Sequence, residues 1–182
     1  MLILEKYIAL LRGINVGGKN KISMPELKAA FEETGFLDVK TYVNSGNVIF
    51  SSDIKDKSEL VKISESVIAD KFMLNIPVMI ISVDELSEAL EHAPKWWDIY
   101  KESVNHAIFV ISPTSVEEVF AVVGEAKPEY EKVDYYKNVI FWAGPLKTYS
   151  KTRWSKIASS SVNSKVTIRN ANTVNKLVLL AK

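Results

Sequence analysis

The sequence has no cysteine and only two histidines among its 182 residues. The absence of cysteine excludes disulfides, thiolate nucleophiles and cysteine-ligated zinc or iron–sulfur sites. The histidines, His92 and His106, lie far apart, and neither belongs to a His-x-x-His or His-x-Glu spacing. We therefore predict no metal site and no cofactor.

Long apolar runs are also missing, and no stretch approaches the length of a membrane span. The first residues, Met1 to Lys6, lack the basic start of a signal peptide and carry charge at Glu5 before an apolar core can form. Together with the absence of cysteine, this predicts a cytosolic protein with no membrane partner.

Acidic residues are absent from the C-terminal quarter, because Asp134 is the last one in the chain. Residues 1–134 contain 14 Lys and Arg against 22 Asp and Glu, whereas residues 135–182 contain 9 Lys and Arg and no acid. The net charge of +1 hides this separation. It indicates either an anionic partner or docking of the basic segment onto acidic surface elsewhere in the chain, and both interpretations stay open.

Glycine is scarce, with 7 residues, yet three of them fall within one basic segment, Arg12 to Lys21. Glycines at such a place let a ligand approach the main chain closely. The segment leads into a predicted helix start, where Ser23 fits an N-cap and Glu26 would close a capping box. Free amides, a helix N-terminus and cations together favour an anion. The alternative is an ordinary strand-to-helix connection with solvated cations.

The pattern of apolar residues predicts two halves with the same order of elements. The first half contains an apolar strand at 7–11, a helix at 23–34, a hairpin at 39–50, a helix at 57–72 and a strand at 78–81. After a connecting helix at 84–93, the second half contains a strand at 106–111, a helix at 115–124, strands at 130–135 and 139–142, a helix at 150–159, a strand at 166–169 and a last helix. On the helix at 150–159 we expect Trp154, Ile157 and Ala158 to face inward.

Both halves follow the order β-α-β-β-α-β, so we predict an α+β protein of two ferredoxin-like halves with antiparallel sheets, plus a C-terminal helix. The predicted divisions are a first half at 1–83 that carries the glycine-rich loop, a connecting helix and Trp-rich loop at 84–104, and a second half at 105–182 that carries the basic segment.

A second polar cluster precedes the last helix, where Asn172 or Thr173 would be a natural N-cap. One interpretation makes Arg169 and Lys176 anion contacts, with Asn170 contacting a polar group of the ligand. The other assigns the cluster to capping and turn chemistry.

The turn at 44–47 contains Ser45, which we assign to a hairpin rather than to catalysis, because no histidine and no nucleophile-elbow motif lies nearby. We also expect this turn to lie at the opposite end of the sheet from the exit of the first strand. On that basis Ser45 and the Arg12 loop should not meet.

Three segments, at 7–18, 41–50 and 167–174, resemble a bacterial family called domain of unknown function 1697 (DUF1697). The helix start at Met24–Leu27 also fits, and the likeness covers essentially the whole chain. The resemblance implies no activity, ligand or catalytic residue. One departure is Ala171, where many relatives carry an aromatic residue after the Arg-Asn pair.

The leading hypothesis is that the chain binds a phosphate-bearing or other anionic small molecule at the glycine-rich loop. A second hypothesis is a nucleic-acid binder that uses residues 137–176, where Lys147, Lys151, Arg153 and Lys156 alternate with aromatic residues. A third is a non-enzymatic protein-interaction module. The sequence assigns no reaction and no oligomeric state. The predicted ligand-binding residues are Arg12, Gly13, Asn15, Gly17, Gly18, Lys19, Lys21, Arg169, Asn170, Asn172 and Lys176.

Overall fold

A computed structural model that describes residues 1–182 divides the chain into two compact units. One unit consists of Met1–Leu86 together with Leu177–Lys182, and the other is Ser87–Lys176. Each unit contains one four-stranded sheet in which all neighbouring strands are antiparallel. The predicted α+β class with two antiparallel sheets is confirmed. The segment that completes the first unit follows the whole second unit in the chain.

The first unit is built around a central strand that is buried from Tyr7 to Leu11. Its elements are β1 (Glu5–Leu11), α1 (Met24–Glu33), β2 (Leu37–Tyr42), β3 (Asn47–Ser52), α2 (Lys57–Phe72) and β4 (Val78–Ser82), after which α3 (Val83–Glu91) leads into the second unit. The strand order is β2-β3-β1-β4. The central place of β1 explains its unbroken apolar run. Helices α1 and α2 cover one face of the sheet, where Phe36 stacks on Phe50 with 4.3 Å between ring centroids.

The second unit repeats this sheet with the strand order β6-β7-β5-β8. Its elements are β5 (Ser103–Val110), α4 (Val116–Val123), β6 (Lys132–Tyr136), β7 (Val139–Pro145), β8 (Val166–Asn170) and α5 (Ala171–Ala181). The short predicted strand before the last helix is therefore present as β8. The core of this unit includes Trp142 and Trp154, both 1% exposed.

The helix predicted at 150–159 is wrong. Three short 3-10 segments connect β7 to β8, at Leu146–Lys151, Trp154–Ser159 and Asn163–Lys165. Thr152 has an extended backbone between the first two, with φ −74° and ψ 155°, which ends any continuous helix. Trp154 and Ile157 are buried as expected, but Ala158 is exposed because the chain turns with a tighter period than an α-helix.

Two predicted helix caps also differ from the structure. Asn170, rather than Asn172 or Thr173, caps α5, because its Oδ1 accepts a hydrogen bond from the Thr173 N–H at 2.8 Å. Ser23 caps α1 by accepting from the Glu26 N–H, but the reciprocal bond of a capping box forms only in α4, between Glu118 and Ser115.

None of the helices combines the length and apolar character needed to cross a bilayer.

Candidate functional site

The segment from Arg12 to Lys21 is an ordered loop whose base is closed by an asparagine. The Asn15 Nδ2 donates to the Ile22 carbonyl at 3.0 Å, and its Oδ1 accepts from the Ile22 N–H at 2.9 Å. Asn20 supports the other side, because its Nδ2 donates to the Gly13 carbonyl at 2.9 Å. These side chains satisfy main-chain groups that a loop would otherwise leave to water. Asn15, a predicted ligand residue, thus uses its amide to shape the loop.

The tip of the loop is a tight turn from Val16 to Lys19, closed by the Lys19 N–H donating to the Val16 carbonyl at 3.0 Å. Gly17 and Gly18 have φ values of 57° and 75°, as the two central positions of a type I′ turn require. A Cβ built on either glycine, or on Gly13, meets no atom within 4 Å. The N–H groups of these three glycines donate to no atom of the chain. The loop therefore presents open main chain with uncommitted donors.

The charge of the loop is positive. Lys19 and Lys21 are exposed, and no ion pair of the chain involves either of them. Arg12 is half-buried, and its N–H donates to the Pro77 carbonyl at 3.0 Å. No acidic residue occurs between Lys6 and Glu26. An anion near the loop would thus meet free N–H donors and the ammonium groups of Lys19 and Lys21.

The expectation that the turn at 44–47 lies away from this loop is wrong. Strand β3 is antiparallel to β1 and pairs Leu10 with Asn47, so β3 begins where β1 ends. The Leu11 N–H donates to the Gly46 carbonyl at 2.8 Å, and the Asn15 Nδ2 donates to the Asn44 carbonyl at 2.9 Å. The expectation is inconsistent with the predicted fold, because a ferredoxin-like order with β3 antiparallel to β1 places the start of β3 beside the end of β1.

We expect Asn15→Ala to lower the free energy of unfolding by about 2 kcal/mol. The change removes three hydrogen bonds and places alanine at φ 54°, a left-handed conformation that asparagine tolerates better. Urea unfolding measures the loss. Asn138→Ala is the control, since Asn138 is exposed and its side chain makes no hydrogen bond; equal stability of the two variants would contradict the role of Asn15 as the closing residue.

The predicted residues near the C-terminus lie in the second unit, whereas the loop lies in the first. Arg169 is only 6% exposed, and its Nη1 donates to the Thr167 Oγ1 at 2.8 Å and to the Ile168 carbonyl at 2.9 Å. Burial lowers the pKa of Arg169 to about 10, so the guanidinium stays charged at neutral pH. Asn170 caps α5, while Asn172 and Lys176 are exposed.

A buried carboxylate that sequence reasoning missed organises the chain after β7. Glu131 is 4% exposed, and its two oxygens accept from the Trp142 indole N–H, the Trp154 N–H, the Arg153 N–H and the Lys127 N–H. Burial raises the pKa of Glu131, but the hydrogen bonds, those from Arg153 and Trp154 foremost, outweigh it and hold the pKa below its ordinary value. No motif marks this residue, because its partners are distant in sequence.

Two cations of the basic segment have partners within their own unit. The Lys137 Nζ lies 2.7 Å from a carboxylate oxygen of Glu88, and Arg153 donates to the Glu125 carbonyl at 2.6 Å. The rest of the segment keeps exposed cations that form no ion pair: Lys147, Lys151, Lys156, Lys165, Lys176 and Lys182.

Trp97 of the Trp-rich loop and His106 are held within the packed structure of the second unit. Trp97 is 7% exposed, and its Nε1 donates to the His106 carbonyl at 3.0 Å, which anchors the loop. Burial lowers the pKa of His106. No group of three or more histidine, aspartate or glutamate side chains is arranged to hold a metal ion.

The fold and the loop together define an α+β protein with two antiparallel sheets and a glycine-rich basic loop after its first central strand. The chain belongs to the family described as "Protein of unknown function (DUF1697)", whose model matches residues 4–141, and the predicted membership is confirmed. The solved structure of the conserved bacterial protein SP0830 from Streptococcus pneumoniae is similar to this chain, with 32% identity and a TM-score of 0.88. The match covers 99% of this chain and 100% of SP0830. No curated protein matches the sequence.

Proposed function

We propose that this protein binds a small phosphate-bearing or otherwise anionic ligand at the loop from Arg12 to Lys21. The observation that carries the proposal is the combination, on one ordered loop, of three glycine N–H groups without partners and two exposed lysines that form no ion pair. Backbone N–H groups and lysine ammonium groups are the donors that hold phosphate groups in proteins. The cytosolic location stays a prediction, and we assign no reaction.

The loop is suited to this role because its shape does not depend on the ligand. Asn15 and Asn20 fix its base through hydrogen bonds to main-chain groups, and the turn at Gly17 and Gly18 fixes its tip. A preformed loop spends less binding free energy on ordering than a mobile one. Arg169, which is 6% exposed, stays a predicted anion contact.

We expect Lys19→Ala/Lys21→Ala to weaken the binding of inorganic phosphate or pyrophosphate about tenfold, without changing the melting temperature of the unliganded protein. Loss of two charge-assisted contacts accounts for the weaker binding, and exposure of both lysines accounts for the unchanged stability. Titration calorimetry and ligand-dependent thermal shifts measure the two quantities.

The matched control is Lys147→Ala/Lys156→Ala, which removes the same charge from two exposed lysines of the second unit. It should leave phosphate binding unchanged. Equal weakening in both double variants would mean that net charge, rather than the loop, attracts the anion. If neither phosphate nor pyrophosphate binds the wild-type protein at millimolar concentration, the proposal is wrong.

The exposed lysines of the basic segment favour nucleic acid as a second candidate. Lys147 precedes and Lys156 follows Tyr149 in the sequence, Tyr149 is 37% exposed, and no acidic residue follows Asp134. Contacts to a phosphate backbone weaken steeply with salt and depend little on base sequence. In this case Lys147→Ala/Lys156→Ala, and not the loop variant, would reduce binding to a short RNA.

A further inference from the structure

The second unit contains a groove of about 570 Å³ where β5 and α5 begin. This volume is in the range of sites that hold small organic ligands. The groove is lined by residues 98–101, 103–105 and 170–172, which come from the loop before β5, from β5 itself and from the start of α5. None of these residues belongs to the loop from Arg12 to Lys21.

The walls of the groove are fixed by hydrogen bonds inside the unit. The Asp98 N–H donates to the Asn105 Oδ1 at 3.0 Å, and the Asn175 Nδ2 donates to the Asp98 Oδ2 at 2.8 Å. The Ser103 N–H donates to the Tyr100 carbonyl at 3.1 Å, which folds the loop back on itself. The groove is therefore preformed, as small-molecule sites usually are.

The functional groups that remain for a ligand are an aromatic ring and amides. Tyr100 is one of the lining residues and is 66% exposed, and its ring has no ring partner in the chain. The Asn172 side chain is exposed and makes no hydrogen bond, so one acceptor and one donor stand side by side. The Asn170 Nδ2 is a further donor, because only its Oδ1 serves the helix cap. Lys101 and Asp98 are the charged residues of the lining, and their opposite charges leave the lining with no net charge.

We propose that this groove binds an unpaired adenine base. An asparagine amide pairs in a bidentate manner with the adenine edge, where the 6-amino donor lies beside a ring-nitrogen acceptor. An exposed tyrosine supplies the surface on which an unpaired base stacks. The balanced charge of the lining means that the base, and not a phosphate, provides the contacts. The same base occurs in a free nucleoside or nucleotide and in a single strand.

The test uses adenosine, which carries no charge, in titrations of the full-length protein followed by NMR or calorimetry. We expect saturable binding that weakens at least fivefold in Tyr100→Ala, since stacking on an aromatic ring contributes strongly to base binding. Tyr135→Ala is the matched control, because Tyr135 is 48% exposed and lies outside the groove. Asn172→Asp, which keeps the shape but removes the amide donor, should weaken binding similarly.

Purine riboside, which lacks the 6-amino group, should bind several-fold more weakly than adenosine. Equal affinity for the two nucleosides, or unchanged adenosine binding in Tyr100→Ala, would overturn the proposal, as would no saturation at millimolar adenosine. A short oligoadenylate that binds more tightly than adenosine supports the site and assigns it to single strands; tighter binding of adenosine assigns it to free nucleosides. Lys19→Ala/Lys21→Ala should leave adenosine binding unchanged, so this test is independent of the anion-binding loop.

Discussion

Replacing Glu131 by glutamine should lower the free energy of unfolding by about 4 kcal/mol. The carboxylate is 4% exposed, and both of its oxygens accept from two N–H groups. A glutamine NH₂ in place of either oxygen would face two donors, leaving them buried without an acceptor. Each buried donor left without an acceptor costs about 1–3 kcal/mol. Thermal and urea unfolding should reveal a loss in melting temperature of roughly 10 °C.

Glu129→Gln is the matched control, since Glu129 is exposed and makes no hydrogen bond. It should change stability by less than about 0.5 kcal/mol. If Glu131→Gln melted as the wild type does, the bonds to Trp142 and Trp154 would not organise the segments after β7.

The effect of Glu131 should also depend on pH. Because the pKa of Glu131 is lowered in the folded state, its stabilising contribution is complete above the unfolded pKa and disappears as the pH falls through the folded pKa. The stability difference between the wild type and Glu131→Gln should therefore shrink as the pH falls from neutral into the acidic range.

Gly46→Ala should lower the free energy of unfolding by about 3 kcal/mol. A Cβ at this position would lie 2.7 Å from the Ile14 Cδ1 and 2.8 Å from the Leu11 Cβ, both in the packed core. Leu11 cannot move its Cβ without moving β1, so overpacking costs about 1–3 kcal/mol. The φ of +85° adds about 1–2 kcal/mol of backbone strain for any residue with a side chain.

Gly35→Ala separates the two causes, because Gly35 has a similar φ of +94° but open space around a Cβ. Gly35→Ala should lower the free energy of unfolding only by the cost of backbone strain. Equal destabilisation of the two variants would mean that the contact with Ile14 contributes nothing to the loss in Gly46→Ala. Since Gly46 accepts from the Leu11 N–H, Gly46→Ala should also weaken phosphate binding at the adjacent loop. Gly35→Ala should leave that binding unchanged.

Elements with a clear local pattern were predictable from the sequence. The bounds of α2 agree with the prediction, and β1 was recognised because a central strand is apolar at nearly every position. On the last helix Val174, Leu177 and Ala181 are buried, as its period requires.

Features that depend on distant partners could not be predicted. The 3-10 segments after β7 depend on Glu131, whose acceptor oxygens reach Arg153 and Trp154 across the unit. Arg169 is charged yet buried, and no local pattern distinguishes such a residue from an exposed cation. The glycines of the loop were recognised because their turn geometry is local.

The division of the chain has a consequence for its synthesis. A ribosome makes the first unit up to Leu86, then all of the second, and only afterwards the segment Leu177–Lys182. In the finished first unit, the Lys6 Nζ donates to the Ala181 carbonyl at 2.8 Å. Domains usually fold in the order in which they emerge. Here all residues of the second unit have been synthesised before the last six residues of the first unit are added. The unit whose synthesis begins first is therefore the unit that is completed last.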